Sequence, residues 1–479
     1  MSEVANDVTD VGDARRDKSV AIVKQLILPI VLLLGGVALS LIYWPGLVTY
    51  DATRQYGQAL SGAFDDWHPP MMEWIWRNLI HVYPGPAPML VMQLFLYAAG
   101  VLALVLWAIL RAQPRLAIAF SACTLMPLPA ALMGEVLKDC LMAAALTAAT
   151  GLALLGEQHK RQLLRIASVL LVFFAASLRF NGFLAGVPLL LLAAGPSSWK
   201  TPLRLALSSA IGAVALLCTM PLANWLIGAS RSDVEMSLVI FDLAGITTRS
   251  GQDVFPTLGQ ANTAKIIGQC YSPVKWDTFS WWVEPLCPID FDRVRTAFHR
   301  QGLNPYTYLT RQITSHPLAY TQHRLAHFNV STRFMVRDEI ERPLPRASAP
   351  NDWGFVIMDG PSLAVIDRAA VAQGSGPLGW PCTWLSLALG LFFTAGRLPS
   401  AVPIRLLAGS ALLYGFGYVV FGVASELRYY LWTMIATSFA LVLMLSEMGI
   451  LAKRQRWLRG LILVGSFATV AVAAMMARA

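Results

Sequence analysis

An all-α polytopic membrane protein is the fold class this sequence predicts, and three observations predict it. Hydrophobic residues make up 56% of the 479 positions and charged residues only 14%. Apolar runs of about the 20 residues needed to cross a bilayer recur along the chain. Lys and Arg cluster in the short polar stretches between those runs. Together these exclude an ordinary soluble domain.

The polar N-terminal run 1–18 carries both signs of charge and is expected to be unstructured, within a cytoplasmic tail over 1–24. No cleavable signal peptide is expected before the first span. Spans are predicted at 25–44, 88–110, 116–133, 140–156, 166–178, 183–195, 205–228, 379–396, 404–424, 431–450 and 460–477, about eleven in all. The two flanking 179–182 are short. An N-terminal membrane module is thus expected over 25–228, with a first outer loop at 45–87, and a C-terminal one over 379–479. The segment 229–378, rich in Asp, Arg, Pro, Gly and Trp, reads as a sizeable extracytoplasmic domain with helices near 256–269 and 305–330.

Basic clusters at Arg15/Arg16/Lys18/Lys24, Arg111/Arg115, Lys160/Arg161/Arg165, Lys200/Arg204, Arg397/Arg405 and Lys453/Arg454/Arg456/Arg459 all fall on one side of this arrangement. That side is expected to be cytoplasmic, with the N-terminus inside. The net charge of +9 is mostly these anchors, so no nucleic-acid partner is expected. Within the outer segment, Cys270 and Cys287 either form a disulfide or stand as separate thiols. There is no internal repeat, no metal-binding signature and no phosphate-binding glycine loop.

The chemistry-bearing residues gather on the other side. The first outer loop reads Trp44-Pro45-Gly46-Leu47-Val48-Thr49-Tyr50-Asp51, then Gln55, then Asp65-Asp66-Trp67-His68-Pro69-Pro70. Lys138-Asp139 lies at the next outer turn, Arg179-Phe180-Asn181 at the third, and Glu426-Leu427-Arg428-Tyr429-Tyr430 before the tenth span. Charge at a membrane boundary is costly and often functional. Lys138, Arg179 and Arg428 suit an anionic headgroup, and Asp51 suits deprotonation of a hydroxyl.

Each has a structural alternative. Asp51 reads equally as the N-cap of an interfacial helix, and Asp65 and Asp66 as starters of a helix over 69–80 with Pro at its first turn. Asp65 falls to the structural side. His68 reads as an interfacial hydrogen-bond partner, and Lys138 and Asp139 as partners of each other. Arg179 and Arg428 read as snorkelling cations, although cations on the outer side run against the positive-inside trend. Trp74, Trp76, Trp281 and Trp282 read as interfacial belt residues.

Taken in order, Pro45-Gly46, Asp51, Gln55, Asp66-Trp67-His68-Pro69, Lys138-Asp139, Arg179-x-Asn181 and Glu426-x-Arg428-Tyr429 resemble a bacterial branch of the GT-C glycosyltransferases, membrane enzymes that use polyprenyl-phosphate sugars. The resemblance covers roughly residues 40–185 and 420–432 and leaves 229–378 unmatched. It implies a GT-C-like fold and inverting transfer of a sugar from a polyprenyl-phosphate (in bacteria, undecaprenyl-phosphate) donor to a hydroxyl of a glycan, glycolipid or protein acceptor. Transfer would occur on the outer face of a bacterial inner membrane. It also implies Asp51 as general base with Asp66 as competitor, His68 positioning the acceptor or orienting Asp51, and Lys138, Arg179 and Arg428 on the donor phosphate. Gln55, Asp139, Asn181, Glu426 and Tyr429 would support them. The chain lacks the paired acids directly after the first span that better-known GT-C enzymes carry. No metal ligand set is therefore assigned, and a divalent cation stays open as a cofactor.

Two other classes remain open. A lipid-linked sugar flippase would collect similar charges, but near mid-span and often on repeat-related broken helices. A membrane acyl or phosphoryl transferase would want a nucleophile with a base nearby, for which His68 and His81 are the histidines in the first outer loop.

Overall fold

The computed structural model describes residues 27–196, 199–337 and 347–478. The polar run 1–18, the tail 1–24 and the basic cluster at 15–24 lie outside the described residues.

The first helix among the described residues is α1 (Ile27–Ile42). Two short outer helices follow, α2 (Tyr50–Ser61) and α3 (Met71–Leu79), then α4 (Ala87–Leu110). The expected span 116–133 is not one helix. It breaks into α5 (Pro114–Thr124) and α6 (Pro127–Leu132), because Met126 precedes a proline and adopts ψ 134°. The bundle continues with α7 (Lys138–Gln158), α8 (Gln162–Leu178), α9 (Gly182–Ala194) and α10 (Pro202–Ile227).

The outer segment holds α11 (Glu235–Ser250), α12 (Thr263–Cys270), α13 (Phe291–Arg300), α14 (Pro305–Ser315), α15 (Pro317–Ser331) and α16 (Pro361–Ser375). The helix expected near 305–330 is two, since Pro317 carries no N–H to continue the ladder. The one expected near 256–269 is confined to α12, and α11 was not anticipated. The chain closes with α17 (Pro381–Thr394), α18 (Ala401–Phe421), α19 (Leu431–Glu447) and α20 (Lys453–Met476). Among the described residues six helices are long and apolar enough to cross a membrane, and four shorter apolar helices accompany them. This is a multi-pass membrane protein.

Helix α7 is the axis of the bundle, buried along nearly its whole length. Its Ala and Gly residues let α4 approach at backbone distance: a Cβ on Gly100 would collide with the Thr147–Ala148 backbone, and one on Gly151 with Gly100 O. The Thr147 and Thr150 hydroxyls donate to the carbonyls one turn back, each at 2.8 Å, so they bring no unpaired donor into the apolar interior.

The outer helices have a second core, in which Trp67 of the first loop packs against Trp276, Trp281, Trp282 and Phe291. Cys270 and Cys287 are joined by a disulfide. Buried Asp242 accepts from His323 (3.0 Å) and pairs with Arg324 (2.6 Å), and Arg324 also donates to Gly422 O at the C-terminal end of α18. Trp76, expected in the interfacial belt, is fully buried on the inner face of α3 and donates to Gly85 O at 2.9 Å.

Three isolated backbone bridges align the outer segments: Leu47 with Glu135, Asp65 with Ser230, and Lys275 with Ala424. They draw the first loop, the turn before α7, the exit of α10 and the approach to Arg428 to one end of the bundle. The basic clusters after α4, α7 and α9 and around α18 and α20 fall at the other end, where Arg165 donates to Ala193 O and Arg459 to Gly396 O.

Candidate active site at one end of the bundle

Helix α2 starts at Tyr50 because Thr49 caps it: the Thr49 hydroxyl accepts from the Ala52 N–H. Asp51 is therefore not the cap. It stands in the first helical turn, and its carboxylate turns toward three cationic or imidazole groups. Arg428 Nη2 lies 2.9 Å from Asp51 Oδ2, Lys138 Nζ lies 3.7 Å from the same oxygen, and His68 Nε2 lies 3.9 Å from Oδ1. Burial alone would push the Asp51 carboxyl up, but the Arg428 and Lys138 cations outweigh it and hold it well below the usual carboxylate range. Its side chain is still 28% exposed, so a reactant can reach it.

Lys138 does not pair with Asp139. Neighbours on a helix project about 100° apart, and the two part company. The Lys138 ammonium donates to His68 Nδ1 at 2.5 Å, while Asp139 pairs with Arg179. An acceptor Nδ1 places the ring proton on Nε2, facing Asp51. Burial, reinforced by Lys138, drives the His68 pKa well below its ordinary value against the pull of Asp51, so the ring is neutral.

Arg428 is held on two sides, with Nε against Glu426 and Nη2 on Asp51. Its Nη1 is buried with no hydrogen-bond partner among the described residues. Burial pushes the Glu426 carboxyl up, with Arg428 opposing. The guanidinium groups of Arg179 and Arg428 lie 4.5 and 5.6 Å from the Tyr429 ring centroid, and Tyr429 stacks on Tyr418 at 5.4 Å with planes 3° apart. Asn181, the N-cap of α9, accepts from Arg179 Nε at 3.4 Å. Lys138 and Arg428 thus come from separate turns to meet Asp51 of the first outer loop, and Arg179 joins them through Asp139 and Tyr429.

No family model matches this chain, and no curated protein does. Among solved structures it is similar to ArnT from Cupriavidus metallidurans bound to undecaprenyl phosphate, with 14% identity over 87% of this chain and 77% of that one and a TM-score of 0.33. The apo state of the same protein matches at 13% identity with the same coverage and TM-score. An Archaeoglobus fulgidus oligosaccharyltransferase tethered to an acceptor peptide matches at 12% identity over 95% of this chain, which spans 55% of that longer one, with a TM-score of 0.35. Likenesses this distant carry no argument about activity.

The other sequence candidates are placed differently. Asp66 accepts from Ser232 N and Oγ at 2.7 and 2.6 Å, tying the loop to the exit of α10. Asp65 accepts from the Trp67 N–H and pairs with Arg54. Neither caps the helix expected over 69–80, which spans Met71–Leu79 with Pro70 at its N-cap and no side-chain cap bond. Gln55 is buried one turn beyond Asp51, beside Glu73 of α3. His81 sits in an exposed turn after α3.

Two acids escaped the sequence reading. Burial pushes Glu73 up to about 8, with the Gln55 amide opposing, and burial likewise pushes Glu135 up to about 8. Both are neutral acids at pH 7. Each was legible as a lone acid in an apolar stretch, Glu135 only three residues before Lys138. No group of three or more metal-ligating side chains occurs among the described residues.

Proposed function

We propose that this protein is a GT-C type glycosyltransferase. In this reading it moves a sugar from a polyprenyl-phosphate donor to an acceptor hydroxyl at the outer face of a bacterial inner membrane, with inversion and with Asp51 as general base. One observation carries the proposal: a reachable carboxylate whose partners, Arg428, Lys138 and His68, are delivered by separate turns at one membrane boundary.

The donor phosphate docks against Arg428 Nη1 and Lys138, while Arg179, committed to Asp139 and stacked on Tyr429, buttresses them. As the acceptor oxygen attacks the anomeric carbon, its proton passes to Asp51 and the carbon–oxygen bond to phosphate breaks. The bonding pair stays on the phosphate, where the guanidinium and ammonium hold the growing charge. Arrival of the phosphate also gives Arg428 and Lys138 a second anion, which weakens their hold on Asp51. Burial then dominates, and the carboxylate becomes a better base when the donor is present. His68, neutral, orients Asp51 and the acceptor; Asp66 acts at a distance through Ser232. The Cys270–Cys287 disulfide supports an oxidising compartment for the outer helices, and the segment 229–378 reads as a domain covering the site.

A transporter fits less well, since the charges stand at helix ends, not mid-span. The test is to incubate protein in lipid nanodiscs with a panel of radiolabelled undecaprenyl-phosphate sugars. Release or transfer of the sugar supports the proposal, whereas labelled lipid crossing the bilayer of proteoliposomes with its sugar intact overturns it.

A further inference from the structure

A cavity of about 740 Å³ lies between the start of the first outer loop and α16. Tyr43, Leu47 and Glu135 line its floor, all nearly fully buried, and exposed Asp359 and Arg368 stand at its rim with Asp367 between. Glu135 lies within electrostatic reach of Arg428. Its backbone bridges Leu47, its carbonyl accepts from Gln93 Nε2 at 2.9 Å, and the charges of Arg428, Glu426 and Asp139 all act on it. Its Oε1 is buried with no hydrogen-bond partner among the described residues. A buried carboxyl oxygen without a partner, on a residue that lines a cavity, is a candidate recognition group, since buried polar atoms are ordinarily paired.

We propose that this cavity is the acceptor site and that it takes the sugar headgroup of an amphiphile, with Glu135 hydrogen-bonding a headgroup hydroxyl. The inference rests on the glycosyltransferase reading and adds the acceptor's chemical class. Charge separates the two sites. The Arg428–Lys138–Arg179 side attracts phosphate; the cavity lining carries Asp359 and Asp367 beside Arg368 and disfavours it. At neutral pH the Glu135 carboxyl keeps its proton, so it both donates and accepts, as pairing with a hydroxyl requires. The Tyr43 hydroxyl adds a second such group, while Leu47 and Leu363 offer apolar wall for a ring face or lipid stem.

The test uses Ala364→Cys, an exposed position lining the cavity, in nanodisc-embedded protein treated with a water-soluble maleimide. Labelling is read against the parent protein, whose free cysteines set the background. Octyl β-D-glucoside should slow alkylation about fivefold or more near saturation, and octyl phosphate should not. Adding Glu135→Ala should remove the protection, and Glu135→Gln, which keeps a neutral donor and acceptor, should retain it. If Glu135→Ala does not fold, Asp359→Asn at the rim should weaken protection about threefold. Equal protection by octyl phosphate, no protection by the glucoside, or protection undiminished by removal of Glu135 or of the Asp359 charge overturns the inference. The assay needs neither donor nor turnover. A protein that transfers no sugar can therefore pass it, and a glycosyltransferase whose acceptor binds elsewhere fails it.

Discussion

Arg428 and Asp51, 377 residues apart in sequence, meet at 2.9 Å between Nη2 and Oδ2. The contact joins the last charged turn to the first outer loop and leaves Arg428 Nη1 without a partner among the described residues.

If Arg428 holds the donor phosphate, Arg428→Ala should weaken donor binding by about 10- to 100-fold, the loss of a charge-assisted hydrogen bond. Arg428→Lys should recover only part of it, because an ammonium cannot bond Glu426, Asp51 and phosphate in one plane. Binding of a fluorescent undecaprenyl phosphate to nanodisc-embedded variants measures this, and unchanged affinity in Arg428→Ala removes Arg428 from the donor site.

Asp66 and Asp51 should separate kinetically. Asp66 bonds Ser232, so Asp66→Asn should retain sugar release within about tenfold of the parent, the scale of a loosened positioning contact. Initial rates settle the order: an Asp66→Asn defect as deep as that of Asp51→Asn makes Asp66 a participant in the chemistry.

Breaking the Asp139–Arg179 pair should cost stability first. Side-chain exposures of 1% and 12% mean that Asp139→Ala strands a buried guanidinium, at a cost of about 3–5 kcal/mol. Thermal melts in one detergent should show a lowered Tm for Asp139→Ala and a partial recovery in Asp139→Ala/Arg179→Met; an unshifted Tm contradicts the pairing.

Glu73 sets a pH dependence of stability. Its folded pKa, about 8, is above the ordinary carboxylate value, so its folded form is favoured at low pH. That contribution is full below the unfolded pKa, about 4.3, and is lost as pH rises through 8. Glu73→Gln, which mimics the protonated acid, should leave Tm nearly unchanged at pH 5 and raise it by a few degrees at pH 8.5. Equal shifts at both pH values contradict a raised Glu73. Asp51 runs the other way: held low, it stays ionised through neutral pH, and its contribution fades only as pH falls below about 4.

Long apolar runs made most of the bundle legible, because period and length report directly on helices in lipid. What escaped depended on neighbours distant in sequence or on backbone detail. The 116–133 run had the composition of a span, but Pro127 breaks it. Lys138 and Asp139 are adjacent in sequence and diverge on α7, so their partners, His68 and Arg179, come from other turns. The sequence left Asp51 open between helix cap and base, and Thr49, two residues earlier, takes the cap position. Glu73 and Glu135 carry no motif; their burial comes from packing that no local pattern encodes. Four charged turns on one side were legible, whereas the convergence of Arg428, Lys138 and His68 on Asp51, with Arg179 turned to Asp139, was not.

The central claim is that Asp51 takes the proton. Sugar release from an undecaprenyl-phosphate sugar, measured at saturating donor with purified parent and Asp51→Asn protein of matched Tm, tests it most directly. A general base contributes about 10²- to 10⁴-fold. A loss of that size with donor binding retained is the result expected, and an Asp51→Asn protein that turns over at the parent rate contradicts the account.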